Sequence, residues 1–157
     1  MARREMIDGD SEIINAEGKV GSSKLNGWSD VLIVQALLKY VREGKGGERG
    51  FDFLPGEPPL RNPDGIFYPG ETERMILSYQ TVSNRDSRRK VLTEDGVISH
   101  AKGKSTFGTG KKWTIVDLNQ RAQIMCLAQR RGEDYIKDIQ AAYPQVRMAL
   151  NEFTLFF

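Results

Sequence analysis

The first candidate for a chemical function is a loop rich in glycine and lysine, GKSTFGTGKK (103–112), which could bind a nucleotide. A phosphate-binding loop needs two glycines five residues apart, followed at once by lysine and a hydroxyl residue, so that backbone N–H groups hold phosphates. Gly103 and Gly108 have that spacing, but Thr109 stands where the lysine is needed. No convincing apolar strand precedes the loop. The sequence therefore argues against nucleotide binding.

A single histidine and a single cysteine are the remaining candidates for catalysis. Because His100 is the only histidine, metal sites built on a histidine pair and relays between two imidazoles are excluded. Cys126 lies in the apolar run AQIMCLAQ, which predicts a small buried side chain and not a reactive thiolate. We therefore predict no catalytic residue, no metal site and no cofactor, and we do not expect an enzyme.

Length and charge place the chain among globular proteins of one domain. It has 157 residues, and 23 Lys and Arg against 21 Asp and Glu leave a net charge of +2, which argues against nucleic acid as a partner. No run approaches the ~20 apolar residues of a membrane span, and the first residues do not form a signal peptide. We expect synthesis in the cytoplasm and no membrane contact. The basic stretch RDSRRK (85–90) is expected to be a loop, either solvated or facing an acidic partner.

The elements that would position a binding surface are mainly helical. Residues 1–27 are expected to form an N-terminal arm or a short edge strand, with a turn at Asp8-Gly9, and residues 28–157 a single helical domain. A helix with Ser29 as its N-cap and Gly44 at its end is predicted from an apolar stripe. That stripe comprises Val31, Val34, Leu38 and Val41.

Further helices are predicted over 70–84, 114–131 and 133–143, with a last turn over 144–153. The segment 44–63 is rich in Gly and Pro and is expected to be a long loop, too apolar for a free linker. The ending TLFF is expected to pack onto the core or to meet another chain.

Two Asp-Gly turns, each downstream of a helix that carries a glutamine, form an ordered pattern. The runs are SDVLIVQALLKY (29–40), DGIFYPGETERMILSYQ (64–80) and EDGVIS (94–99). In this order they resemble the peptidoglycan-binding-like domains, small three-helix modules that many cell-wall enzymes carry. Tyr68 and Pro69 stand where that family has no residues. The matching positions are Gln35, Asp64, Gly65, Phe67, Gly70, Thr72, Gln80, Asp95 and Gly96.

The resemblance implies a peptidoglycan-binding-like three-helix core over 28–131 and a C-terminal helical extension over 132–157. The matching residues are expected to be structural: the glycines adopt positive φ, Thr72 caps a helix, and Gln35 and Gln80 tie loop backbone to helices.

The resemblance also implies a non-catalytic module that recognises peptidoglycan, through its stem peptide or its glycan. The wall of a shallow groove is assigned to Trp28, Tyr68 and Tyr79, for which core packing is the alternative role. Such a module would act at the cell wall after lysis or delivery by an injection machine.

A different class of function uses the same fold for protein-protein contacts. The long apolar-containing loop, the additional C-terminal helices and the apolar tail suit a structural or assembly protein of a phage tail or contractile injection system. In that hypothesis the tail meets a protein partner.

Overall fold

The computed structural model of the chain describes residues 1–44, 50–130 and 134–151. Among them are five α-helices and one antiparallel pair of strands, so the predicted mainly helical class is confirmed. The elements are β1 (Arg3–Ile7), β2 (Ser11–Asn15), α1 (Trp28–Glu43), α2 (Glu71–Ser87), α3 (Thr114–Arg130), α4 (Tyr135–Ala142) and α5 (Gln145–Ala149), with a 3₁₀ turn at Lys102–Lys104. Within the described ranges, the helices lack the length and hydrophobicity that crossing a membrane requires.

The first 27 residues are part of the folded body: of the two structures expected for this segment, an arm or a short edge strand, the structure has strands and no separate arm. β1 and β2 form a hairpin in which Arg3 pairs with Asn15 and Ile7 with Ser11. The predicted Asp8-Gly9 turn joins them, with positive φ at both residues. The hairpin is held because its apolar side chains enter the core. These are Ile7, Ile13 and Ile14, followed along the chain by Ala16 and Val20.

The first helix lies at the centre of the fold. The sequence predicts one buried stripe, but α1 is buried on all sides from Val31 to Leu38 because α2, α3, α4 and α5 all pack against it. Gly44 ends the helix as predicted, donating its N–H to Tyr40 O at 2.8 Å. The predicted N-cap is wrong: Ser29 lies inside α1, and its hydroxyl accepts the N–H of Ala2.

The described part of the long loop, residues 50–63, is packed as predicted. Phe51 and Phe53 contact the ring of Tyr79 edge-on, with centroid separations of 5.8 and 5.5 Å. The guanidinium of Arg42 donates to three loop carbonyls, those of Leu54, Glu57 and Pro58. The loop therefore completes the core over α2.

The C-terminal helices share the same core. Val146 and Ala149 of α5 are buried, and α5 packs against α1. Asp138 of α4 accepts a hydrogen bond from Tyr40 OH of α1 at 2.6 Å. Residues 134–151 are thus continuous with the body, while the tail TLFF lies outside the described residues.

The basic stretch 85–90 is not entirely a loop. α2 continues through Arg85, Asp86 and Ser87, and it ends at Arg88, which has the left-handed conformation. All six side chains of the stretch are exposed. Cationic residues at this end of the helix complement the negative pole of its dipole.

Asparagine side chains join segments that are far apart in the sequence. Asn119 of α3 accepts the N–H of Ile14 and donates to its carbonyl, both at 2.9 Å. Asn15 in turn accepts the N–H of Ala101 at 2.9 Å. The Asn119 amide thus bonds the backbone of β2 where a neighbouring strand would otherwise do so, and the Asn15 amide joins β2 to the loop at Ala101.

Candidate functional site

The first Asp-Gly turn, Asp64-Gly65-Ile66, is fixed by one glutamine of α1. Gln35 Oε1 accepts the N–H groups of Asp64 and Gly65 at 3.1 and 2.9 Å, and its Nε2 donates to Ile66 O at 2.9 Å. The Asp64 carboxylate also accepts the Ile66 N–H at 2.9 Å. Gly65 has a φ of +79°, a conformation that favours glycine. The predicted link between Gln35 and the loop backbone is therefore confirmed.

The second turn, Asp95-Gly96-Val97, repeats this arrangement bond for bond. Gln80 of α2 accepts the N–H groups of Asp95 and Gly96 at 3.1 and 2.9 Å, and it donates to Val97 O at 3.0 Å. Asp95 accepts the Val97 N–H at 3.0 Å. Gln80 also donates to Thr114 Oγ1, at the start of α3. Two helices thus hold two turns with the same chemistry.

Two aromatic residues flank the first turn at the surface. Trp28, the first residue of α1, is 44% exposed, and its indole N–H donates to Asp64 O at 3.2 Å. The hydroxyl of Tyr68 donates to Asp64 Oδ2 at 2.6 Å. Tyr68, one of the two residues that the family pattern lacks, therefore adds a hydrogen bond to this turn.

Ion pairs fix the outer side of this surface. Arg61 lies over the Tyr68 ring, 3.8 Å from its centroid, and makes a bidentate pair with Glu71 at 2.9 and 2.8 Å. Burial tends to raise the pKa of Asp64, but the bonds from Tyr68, Ile66 and Gln35 outweigh it and lower that pKa. Glu71 also has a lowered pKa, chiefly through its bond to Arg61. Both carboxylates are thus ionised near neutral pH.

The third predicted groove residue, Tyr79, lies elsewhere. It is fully buried, and its hydroxyl donates to Asp117 Oδ2 of α3 at 2.6 Å. Ser83 and Lys112 donate to the same carboxylate. Burial raises the pKa of Asp117, yet these three donors lower it overall. Tyr79 therefore has its alternative role, in the core. Of the three aromatic residues, only Trp28 and Tyr68 lie beside the first turn, where each is bonded to Asp64.

The other motif residues have structural positions. Phe67 packs against the core, and Gly70, with a φ of +82°, precedes α2. Thr72 does not cap α2 as expected: its hydroxyl accepts the Tyr68 N–H at 3.2 Å and so holds the loop that enters the helix.

A cleft of about 420 Å³ adjoins the site between the loop 54–61 and the start of α2. Its charged walls are paired, Arg61 with Glu71 and Arg74 with Glu57. Its apolar lining includes Leu54, Pro58, Leu60 and Met75. Arg61 and Glu71 were not predicted as site residues. The sequence of the Gly- and Pro-rich loop does not indicate that Arg61 will lie beside the first turn and pair with Glu71 at the start of α2.

The arrangement is suited to presenting a rigid surface. The side chains of Gln35, Asp64, Tyr68 and Trp28 are all bonded to the first turn or to one another, so the site offers a fixed shape and an exposed ring. Over residues 1–44, 50–130 and 134–151, no group of three or more His, Cys, Asp or Glu side chains is placed to hold a metal ion.

Comparison of the chain with models of protein families, with curated proteins and with solved structures finds no match.

Proposed function

We propose that this chain is a non-catalytic module that binds bacterial cell-wall peptidoglycan. The observation that carries the proposal is the repeated arrangement of a helix glutamine and an Asp-Gly turn. Gln35, the first turn, Gln80 and the second turn follow one another in the order of the peptidoglycan-binding-like domains. In this proposal α1, α2 and α3 form the three-helix core of that family.

The surface of the first turn supports binding and not catalysis. Trp28 is exposed but held in place, and the neighbouring carboxylates of Asp64 and Glu71 are already engaged by structural donors. A general acid or base needs a proton that it can exchange with a substrate, whereas these groups are committed to the turn. The cleft beside Arg61 extends the surface and could receive a polymer. The wall would be reached after lysis or through an injection machine.

A sedimentation assay on purified sacculi tests the proposal. The full chain is mixed with sacculi at moderate salt, and the pelleted fraction is compared with that of a control protein of similar size and charge. We expect retention above the control and release by soluble peptidoglycan fragments. Retention equal to that of the control would refute the proposal.

Assembly through protein-protein contacts is the second candidate function, and exposed apolar side chains favour it. Ile124 and Leu127, three residues apart on α3, are 66% and 51% exposed, and Met148 on α5 is 56% exposed. Side chains three apart share a helix face.

Light scattering after size-exclusion chromatography tests this candidate with three chains: the full chain, a chain truncated after Asn151, and the double variant Ile124→Ser, Leu127→Ser. Self-assembly that either change abolishes would support it. Identical monomers at all concentrations, together with sacculus binding, would leave the first proposal in place.

A further inference from the structure

The two turns differ in the side chain that covers the glycine. Over Gly65 lies Trp28, whose Cδ1 is 2.3 Å from the position that a Cβ would take. Over Gly96 lies the stem of Glu73, whose Cγ is 2.9 Å from the corresponding position. Trp28 precedes Gln35 by seven residues, and Glu73 precedes Gln80 by seven. The two covering residues therefore occupy equivalent helix positions.

This equivalence shows that the turn does not require an aromatic cover. The second turn keeps the same hydrogen bonds beneath a glutamate that the first keeps beneath a tryptophan. The indole at position 28 contributes one bond to Asp64 O, yet much of the ring remains in contact with water. Because the turn does not require the aromatic ring, and because the ring is 44% exposed, the indole offers a face on which a ligand can stack.

The ring is also held in one orientation. Its pyrrole side lies against Gly65, and its N–H is bonded to the turn that Gln35 fixes. Tyr68 holds the same turn through its bond to the Asp64 carboxylate. Binding to a preorganised ring loses little side-chain entropy. Tyr68 is thus a positioning residue, and Trp28 is the one that would touch a ligand.

The charge beside the Trp28 ring favours one component of peptidoglycan over the other. Asp64, whose carbonyl accepts the indole N–H, carries a negative charge, whereas the charges of Glu71 and Arg61 balance each other. A stem peptide bears carboxylates, which this surface would repel. A neutral sugar ring presents a face of C–H groups that packs on an aromatic ring and hydroxyls that reach carboxylate and carbonyl oxygens.

We propose that Trp28 stacks on an N-acetylated pyranose ring of the glycan strand, so that the module recognises glycan and not stem peptide. This inference rests on the proposed function and specifies its ligand.

The variant that tests this inference is Trp28→Glu. It places over Gly65 the type of side chain that lies over Gly96 in the second turn. It should fold, as judged by circular dichroism and by its denaturation midpoint. Binding of a soluble N-acetylglucosamine oligomer is measured by calorimetry for the native chain, for Trp28→Glu and for Trp28→Phe. We expect Trp28→Glu to weaken binding by about tenfold or more, the loss of one aromatic contact, and Trp28→Phe to retain part of it. Unchanged affinity in a folded Trp28→Glu chain would overturn the inference.

A second measurement does not depend on replacing Trp28. The chain has two tryptophans, so Trp113→Phe leaves Trp28 as the only indole. Adding the oligomer should shift the fluorescence emission of Trp28 and protect it from quenching by acrylamide. Isolated stem peptide should have neither effect. If sacculi retain the chain but stem peptide alone competes, the inference fails and the proposed function stands. If sacculi do not retain the chain, both the proposed function and this inference fail.

Discussion

The contact between Gly65 and Trp28 allows a quantitative test of the first turn. Gly65 and Gly56 have the same φ, +79°, but nothing lies within 4 Å of the Cβ position at Gly56. Alanine in this left-handed conformation costs about 1–2 kcal/mol relative to glycine. We expect Gly56→Ala to lower the free energy of unfolding by that amount, which makes it the control for backbone strain.

Gly65→Ala should cost more, because its new methyl group would lie 2.3 Å from Trp28 Cδ1 and 2.4 Å from Nε1. The indole must move, which breaks its bond to Asp64 O, worth about 0.5–1.5 kcal/mol, and disturbs its packing. We therefore expect Gly65→Ala to exceed Gly56→Ala by about 1–3 kcal/mol, adding a packing loss of similar size to that bond.

Urea denaturation followed by circular dichroism measures both costs, in the native chain and in a Trp28→Ala background. Without the indole, the excess cost of Gly65→Ala over Gly56→Ala should disappear, as a double-mutant cycle would show. Equal costs in the native chain, or an excess that persists without Trp28, would refute the assignment of this contact.

Three further changes test the second turn and the core. Gln80→Leu leaves the Gly96 N–H and the Val97 carbonyl without their partner and should cost about 2–4 kcal/mol in urea, whereas the exposed Gln123→Leu should stay within about 0.5 kcal/mol. Because the folded pKa of Asp117 is below its usual 3.8, its stabilising contribution is present above that pH and is lost as pH falls through the folded value. Asp117→Asn should therefore flatten the decline in unfolding free energy below about pH 4 that the native chain shows; an identical decline in both chains would contradict it. Phe53→Ala removes a buried ring packed on Tyr79 and should cost about 3–5 kcal/mol in the same assay, and a cost below 1 kcal/mol would contradict the packing.

Local patterns were the most informative part of the sequence. The helices follow from apolar residues at steps of three and four, and the roles of Gln35 and Gln80 follow from amides on helices near Asp-Gly turns. The end of α1 was predictable because Gly44 adopts a positive φ that other residues avoid.

Contacts between distant residues were not accessible in this way. Trp28 and Gly65 are separated by a Gly- and Pro-rich segment whose path no periodicity specifies. The hairpin was obscured because Ile13 and Ile14 are adjacent and both buried, which breaks the alternation expected of a surface strand. Of the aromatic residues assigned to the groove, Tyr79 took its alternative role in the core, because a tyrosine on an apolar helix face has no feature in the sequence that decides between core and surface.

The attachment of the hairpin to distant parts of the sequence leads to an expectation about the order of folding. Ile14 is bonded to a residue 105 positions away, and Glu12 O accepts the hydroxyl of Tyr135, 123 positions away. Contacts of such high sequence separation are slow to form, because the entropy of closing a long loop is lost before any bond compensates for it. The hairpin is therefore expected to be among the last elements to form its contacts, and the Ile14 amide should become protected from hydrogen exchange only after α3 and α4 are in place.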